Sequence, residues 1–322
     1  MSWTSGPVIL GCGTFGGIGG ARSLIGKGLD GDTSVAVLDE ALELGITMLD
    51  TAEAYAGGFS EATIGQWLGH RPAGSIDQVR ITTKVAPPGE SVQSTVFDAA
   101  FISRAFAGSL ERLGVERVDW LLTHAPHEAT PVEVTLEALE GIRASGGCDH
   151  IGACNLDAGQ LRAAIAAAGR LGVVGYELVQ NRFSLLQPHD GEEVRSMCRE
   201  NGLAFTAFSP LAGGVLTGKY HRDRPPPPDS RLALRPDGVD ELLTATMFDA
   251  IDMLIDVAAS RGVTPGAVGL AWLLRRDDVT AVITGPATAS PHLQIAAQAM
   301  RLELDEEVAE ALAERFGRAG GL

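Results

Sequence analysis

Four residues able to hold or move a proton stand at or just beyond the ends of apolar runs. Asp50 ends Ile46–Asp50, Lys84 lies one residue from the end of Val79–Val85, and His124 ends Val118–His124. Tyr55 follows Asp50 in Leu49-Asp50-Thr51-Ala52-Glu53-Ala54-Tyr55-Ala56-Gly57-Gly58-Phe59-Ser60-Glu61. A polar side chain that interrupts an apolar run must find a partner near the core or at the end of the run. Singly, Asp50 or Lys84 reads as half of an ion pair, His124 as a satisfied core histidine and Tyr55 as a packing residue. Together they are the residue types that general acid–base chemistry uses.

Eight short apolar or β-branched runs are candidate strands: Val8 to Cys12, Ile46 to Asp50, Val79 to Val85, Val118 to His124, His150 to Cys154, Glu177 to Asn181, Ala204 to Ser209 and Val279 to Thr284. Amphipathic stretches lie between them. Thr33 to Leu44 carries Val35, Leu38 and Leu42 on one face; in Thr264 to Arg276, Thr264 suits an N-cap and Pro265 the first helical position. Alternation of this kind predicts an α/β chain folded as one (β/α)8 TIM barrel over residues 1–322. Barrel enzymes keep their chemistry at the C-terminal ends of the strands, where Asp50, Lys84 and His124 fall. Residues 222–239, with Pro225-Pro226-Pro227-Pro228, form neither ladder nor helix and read as an exposed loop, either a spacer or a cover for the barrel mouth.

The bulk numbers remove several function classes. With 25 basic and 41 acidic residues the net charge is −16, which repels a phosphate backbone, so no nucleic-acid partner is expected. No apolar run reaches membrane-spanning length and no signal peptide is read at the N-terminus, so the expectation is a cytoplasmic protein without a membrane partner. Cys12, Cys148, Cys154 and Cys198 lack C-x-x-C spacing and read as reduced thiols, and no metal ligands are assigned. Gly11, Gly13 and Gly16 match G-x-G-x-x-G, the dinucleotide fingerprint. A Rossmann turn, however, needs a helix directly after the last glycine, and Gly17, Gly19 and Gly20 disfavour one there. The Rossmann reading is rejected in favour of a glycine-rich loop at the barrel rim.

In order, Asp50, Tyr55, Lys84 and His124 resemble the catalytic tetrad of the aldo-keto reductase superfamily. The resemblance covers nearly the whole chain and points to its bacterial, potassium-channel β-subunit-like branch. It continues through Ile151-Gly152-Ala153-Cys154-Asn155, Val179-Gln180-Asn181 and Phe208-Ser209-Pro210-Leu211-Ala212-Gly213-Gly214 to Gly218-Lys219-Tyr220. It implies NAD(P)H-dependent reduction of an aldehyde or ketone. Tyr55 would be the general acid, with Lys84 lowering its pKa, Asp50 holding Lys84 charged, and His124 orienting the carbonyl oxygen.

The resemblance also implies the cofactor contacts. Asn155 and Gln180 would hold the nicotinamide carboxamide, with Phe208 against the ring; Cys154 replaces the usual serine. Ser209, Leu211, Gly213 and Gly214 follow the seventh strand, where barrels bind phosphate, and Lys219 would add charge. After the eighth strand, Gly285, Thr288 and His292, with Ser290, stand where many relatives carry an arginine or lysine for the 2′-phosphate. That substitution leans toward NAD(H) while family habit leans toward NADP(H), and NADP(H) is the expectation. The substrate stays open among small carbonyls, sugars and sugar nucleotides, as does the choice between monomer and homo-oligomer. Alternatives are a nicotinamide-binding redox-sensing regulatory subunit, an NAD-dependent sugar dehydrogenase working oxidatively, and a Schiff-base aldolase using Lys84.

Overall fold

A computed structural model describes residues 6–72, 74–86, 97–228, 230–234, 242–286 and 292–320. Eight parallel strands close into a barrel in sequence order: β1 (Val8–Gly11), β2 (Met48–Asp50), β3 (Arg80–Val85), β4 (Val118–Thr123), β5 (Cys148–Cys154), β6 (Leu178–Arg182), β7 (Ala204–Phe208) and β8 (Ala281–Thr284). All eight expected strands are present, with shifted ends. Ile46, expected in β2, instead donates its N–H to the Ala41 carbonyl and closes the preceding helix. Cys148, expected outside β5, pairs in register with Val118.

Side chains alternate across each strand, and this sorts them into two apolar cores. Ile9, Met48, Trp120, Leu122, Cys154, Leu178, Ala281 and Ile283 fill the barrel interior, with Ala204 and Phe208 packed against them. The outward-facing residues form a larger core with the helices. Inside the barrel, β2, β4 and β6 carry apolar residues low down and polar ones at or just beyond their C-terminal ends. β4 runs Trp120, Leu122, then His124 just beyond its end. β6 runs Leu178, Gln180, Arg182.

Helix starts follow side-chain capping. Asp30, Asp98, Asp157, Thr244 and Thr264 each accept a backbone N–H in the first turn, and Asp157 forms a capping box with Gln160. Helix Gly31–Glu43 buries Ser34, Val37, Leu38 and Ala41, with Val35 and Leu42 only partly buried at the stripe's edges. The expected face is thus rotated, because small Ser34 and Ala41 let the helix lie closer to the strands. Helix Pro265–Leu274 is buried on nearly every side, as its almost wholly apolar sequence requires. Of the expected loop at 222–239, the described part includes Arg222, paired with Asp249 and Asp252, and a single helical turn at Arg231–Leu234. Among the described residues no helix is long and apolar enough to cross a membrane.

Candidate active site

The barrel register brings Asp50, Lys84 and Tyr55 together. Asp50 ends β2 beside Thr82 of β3, and Lys84 projects inward two residues farther along β3. Its ammonium, fully buried, donates to Asp50 Oδ1 at 2.6 Å, to the Thr51 carbonyl at 2.8 Å and to the Tyr55 hydroxyl at 3.3 Å. Tyr55 opens a short turn, Tyr55–Gly58, in which Ala56 and Gly57 take left-handed conformations. Beneath its ring runs the glycine-rich loop after β1. A Cβ at Gly13 would make van der Waals contact with the Tyr55 ring, 3.4 Å from Cζ, so the loop backbone lies close to the phenol. His124 meets Tyr55 edge to face, ring centroids 5.4 Å apart.

The electrostatics correct one expectation. Burial pushes the Tyr55 phenol up to about 12, outweighing the attraction of Lys84, which acts in the opposite direction. The physical reason is that Asp50, at 2.6 Å, cancels much of the field of Lys84, while the phenol oxygen is desolvated. Burial alone would depress Lys84, but Asp50 and the phenol hold it above its ordinary value, so it stays an ammonium. His124 is driven down to about 3 by burial and by Lys84, and is therefore a neutral imidazole at physiological pH. The site thus pairs a protonated phenol with a permanent cation and an uncharged imidazole.

Around this centre lie the residues expected at the cofactor. Asn155, just past β5, has a left-handed backbone (φ 61°), which asparagine tolerates, and its side-chain N–H donates to the His124 carbonyl at 2.8 Å. Gln180 is turned inward. Its amide N–H donates to Asp50 Oδ2 at 2.8 Å, and its oxygen accepts from the Cys154 thiol at 3.6 Å, tying the amide to the tetrad. Phe208 closes β7 above the interior core, and exposed Ser209 follows with φ 53°. Leu211 packs on Gly266 and Gly269 of helix Pro265–Leu274, which anchors the start of the loop. Gly213 and Gly214 both have positive φ. A Cβ on Gly214 would lie 2.6 Å from Lys219 Nζ, and one on Gly213 would lie 3.2 Å from Arg231 Cγ. The Lys219 ammonium and the aliphatic stem of Arg231 therefore lie against bare backbone. Burial, and then the repulsion of Arg231, lower the pKa of Lys219. Gly285 follows β8 at the surface and His292 begins helix His292–Ala299. Thr288 and Ser290 lie outside the described residues.

Sequence reasoning missed three residues here. Arg231 lies within the proline-rich stretch, and nothing local signals that it folds back over Gly213. Glu61 is fully buried, accepting from Thr83 Oγ1 at 2.5 Å and from Arg112 Nε at 2.7 Å, and braces β3 behind Lys84. Its only sequence signal is a carboxylate in the buried first turn of helix Phe59–Gly69. Glu53 accepts from the Ala86 N–H at 3.0 Å, and burial raises its pKa.

Comparison with known proteins gives a consistent outcome. Residues 7–315 match the Aldo/keto reductase family. The chain is 32% identical over 274 residues to a probable voltage-gated potassium channel subunit beta of Oryza sativa subsp. japonica, covering 83% of this chain and 81% of the relative. It is 31% identical over 327 aligned positions to an NADH-specific methylglyoxal reductase of Escherichia coli (strain K12), covering 94% and 95%. It is 28% identical over 257 residues to the Aldo-keto reductase yakc [NADP(+)] of Schizosaccharomyces pombe, covering 79% and 74%.

Proposed function

The chain belongs to the Aldo/keto reductase family and is thereby an NAD(P)H-dependent reductase, and we propose that it reduces the carbonyl of a small aldehyde or ketone to an alcohol with Tyr55 as proton donor. One observation carries the reading: a single buried ammonium, Lys84 Nζ, touches both a carboxylate and the phenol hydroxyl. The chemistry of the Gly213–Gly214 loop fits a dinucleotide. The Lys219 ammonium lies against the bare backbone of Gly214 and is repelled by Arg231, so an anion such as a pyrophosphate would stabilise it there. When bound, the nicotinamide supplies the hydride.

The residues of the chain handle the oxygen and the proton. As the carbonyl carbon is reduced, negative charge grows on oxygen. A phenol with a pKa near 12 is fully protonated at neutral pH, so it is ready to donate, and the alkoxide is basic enough to accept. The phenolate left behind faces Lys84 at 3.3 Å, and Asp50 keeps that lysine charged. Neutral His124 orients the carbonyl oxygen by hydrogen bonding without adding a second cation.

The reading is tested by following NADPH and NADH consumption with para-nitrobenzaldehyde and methylglyoxal. Steady turnover is expected; tight nicotinamide binding with no turnover of any aldehyde would sink it in favour of the sensing subunit. We propose NADP(H) as the preferred cofactor, following the habit of the family, since the pyrophosphate that Lys219 would face is common to both dinucleotides. Lys219→Met is then expected to weaken NADPH binding about 10- to 100-fold, the worth of a charge-assisted contact, as read by fluorescence quenching. An unchanged affinity removes Lys219 from the cofactor site.

The pH profile supplies a further check. His124 would protonate only near pH 3, so kcat/KM for aldehyde reduction is expected to run level from pH 6 to 8. An inflection near 6.5 that vanishes in His124→Gln would contradict a neutral histidine.

A further inference from the structure

Arg182 ends β6 on the inward face of the barrel. Two observations fix that direction. Leu178 belongs to the interior core and Gln180 bonds Asp50, while the intervening Asn181 turns away to pair with the backbone of Leu156. The period of two therefore returns Arg182 inward, about 6.6 Å beyond Gln180 at ~3.3 Å per residue. Its guanidinium also lies 5.9 Å from the ring centroid of Phe208, its register partner on β7, and that ring packs on the interior core. Yet Arg182 is exposed, and among the described residues no carboxylate pairs with it. Lys219 and the stem of Arg231, by contrast, pack against Gly214 and Gly213 of the loop after β7.

An inward-facing cation at the open end of a site has a chemical meaning in a chain with net charge −16, whose overall field repels anions. Stacked on an aromatic ring, a guanidinium is held with its N–H edge available. That edge binds a carboxylate through two parallel N–H···O bonds. A monoanion is matched by one guanidinium, whereas a phosphate dianion would leave a charge unpaired at this place.

The geometry points to a substrate class: a carbonyl compound that carries a carboxylate a few bonds from the reacting carbon, with Arg182 as the residue that selects it. This rests on the reductase reading above. The test compares kcat/KM for para-carboxybenzaldehyde and para-nitrobenzaldehyde in the wild-type enzyme, Arg182→Lys and Arg182→Gln, with NADPH affinity measured in each.

The wild type is expected to prefer the carboxylate substrate at least tenfold, mainly through KM, and the preference should shrink with added salt. Arg182→Gln should lower the ratio of the two kcat/KM values about 10- to 100-fold. Arg182→Lys should fall between, since it keeps the charge and loses the two-point fit. Turnover of the neutral aldehyde without preference for the anionic one overturns the proposal alone. So does a ratio that Arg182→Gln leaves unmoved, or a loss confined to NADPH affinity, which would assign Arg182 to the cofactor. Absence of turnover with both aldehydes in the wild type overturns the reductase reading and this proposal with it.

Discussion

Tyr55→Phe is expected to lower kcat for aldehyde reduction by about 10²–10⁴-fold, the usual worth of a positioned general acid, while leaving the fold and nicotinamide affinity in place. The structural half of this expectation follows from what the hydroxyl touches. Its contact to Lys84 is the longest of the three that the ammonium makes, at 3.3 Å against 2.6 Å to Asp50 and 2.8 Å to the Thr51 carbonyl. Removing it leaves Lys84 still neutralised and doubly bonded. The ring that lies over Gly13 and edge-on to His124 is unchanged in phenylalanine. Phenylalanine also removes a desolvated hydroxyl, so no loss of melting temperature is expected. The chemical half follows from the neighbours. Neutral His124 is a weak proton donor, and Lys84 holds its proton above its ordinary range, so neither replaces the phenol efficiently. The measurement is single-turnover reduction with bound NADPH beside a quenching titration. A variant that turns over at the wild-type rate removes Tyr55 from proton transfer; one that loses nicotinamide affinity in proportion to rate makes it a cofactor-site residue instead.

Much of the barrel is legible because strand ends carry a physical signature. Asp50, Lys84 and Gln180 each put a polar group into an inward-facing position near the C-terminal end of a strand, and a shared polar pocket at the mouth satisfies all three. The glycine-rich stretch after β1 is legible as a loop for a similar reason, since no helix tolerates that run. Its partner, the Tyr55 ring, is not, because the contact joins residues 42 positions apart. Distance along the chain also hides the Glu61–Arg112 pair, which bridges 51 residues, and the return of Arg231 over Gly213. Local periodicity carries no information about such closures. The sign of the Tyr55 shift is hidden for a different reason. Residue types announce an attractive lysine, but the outcome depends on how far Asp50 cancels it and how completely the phenol is desolvated, and both are distances rather than identities.

The second large effect concerns the buried pair itself. In Asp50→Asn the volume is kept, but the charge opposite a fully buried ammonium is gone. The new amide also cannot satisfy both neighbours. Asp50 accepts from Lys84 at one oxygen and from Gln180 at the other, so one of them must face an NH2 group, donor against donor. Leaving a buried charge uncompensated costs about 3–5 kcal/mol of stability, read from denaturant unfolding, and reduction should fall along with it because an unpaired Lys84 gives up its proton. Loss of activity alone does not separate a damaged fold from a damaged site, whereas adding Lys84→Met does. With the cation removed, the introduced amide can turn its NH2 group away from Gln180 and accept from it. The remaining defect is then the Thr51 carbonyl, which loses its donor. The double variant is therefore expected to be more stable than Asp50→Asn, though still below the wild type, while reducing aldehydes no faster. If the two losses simply add, Lys84 and Asp50 are not coupled, and the phenol has no charged neighbour that depends on a carboxylate.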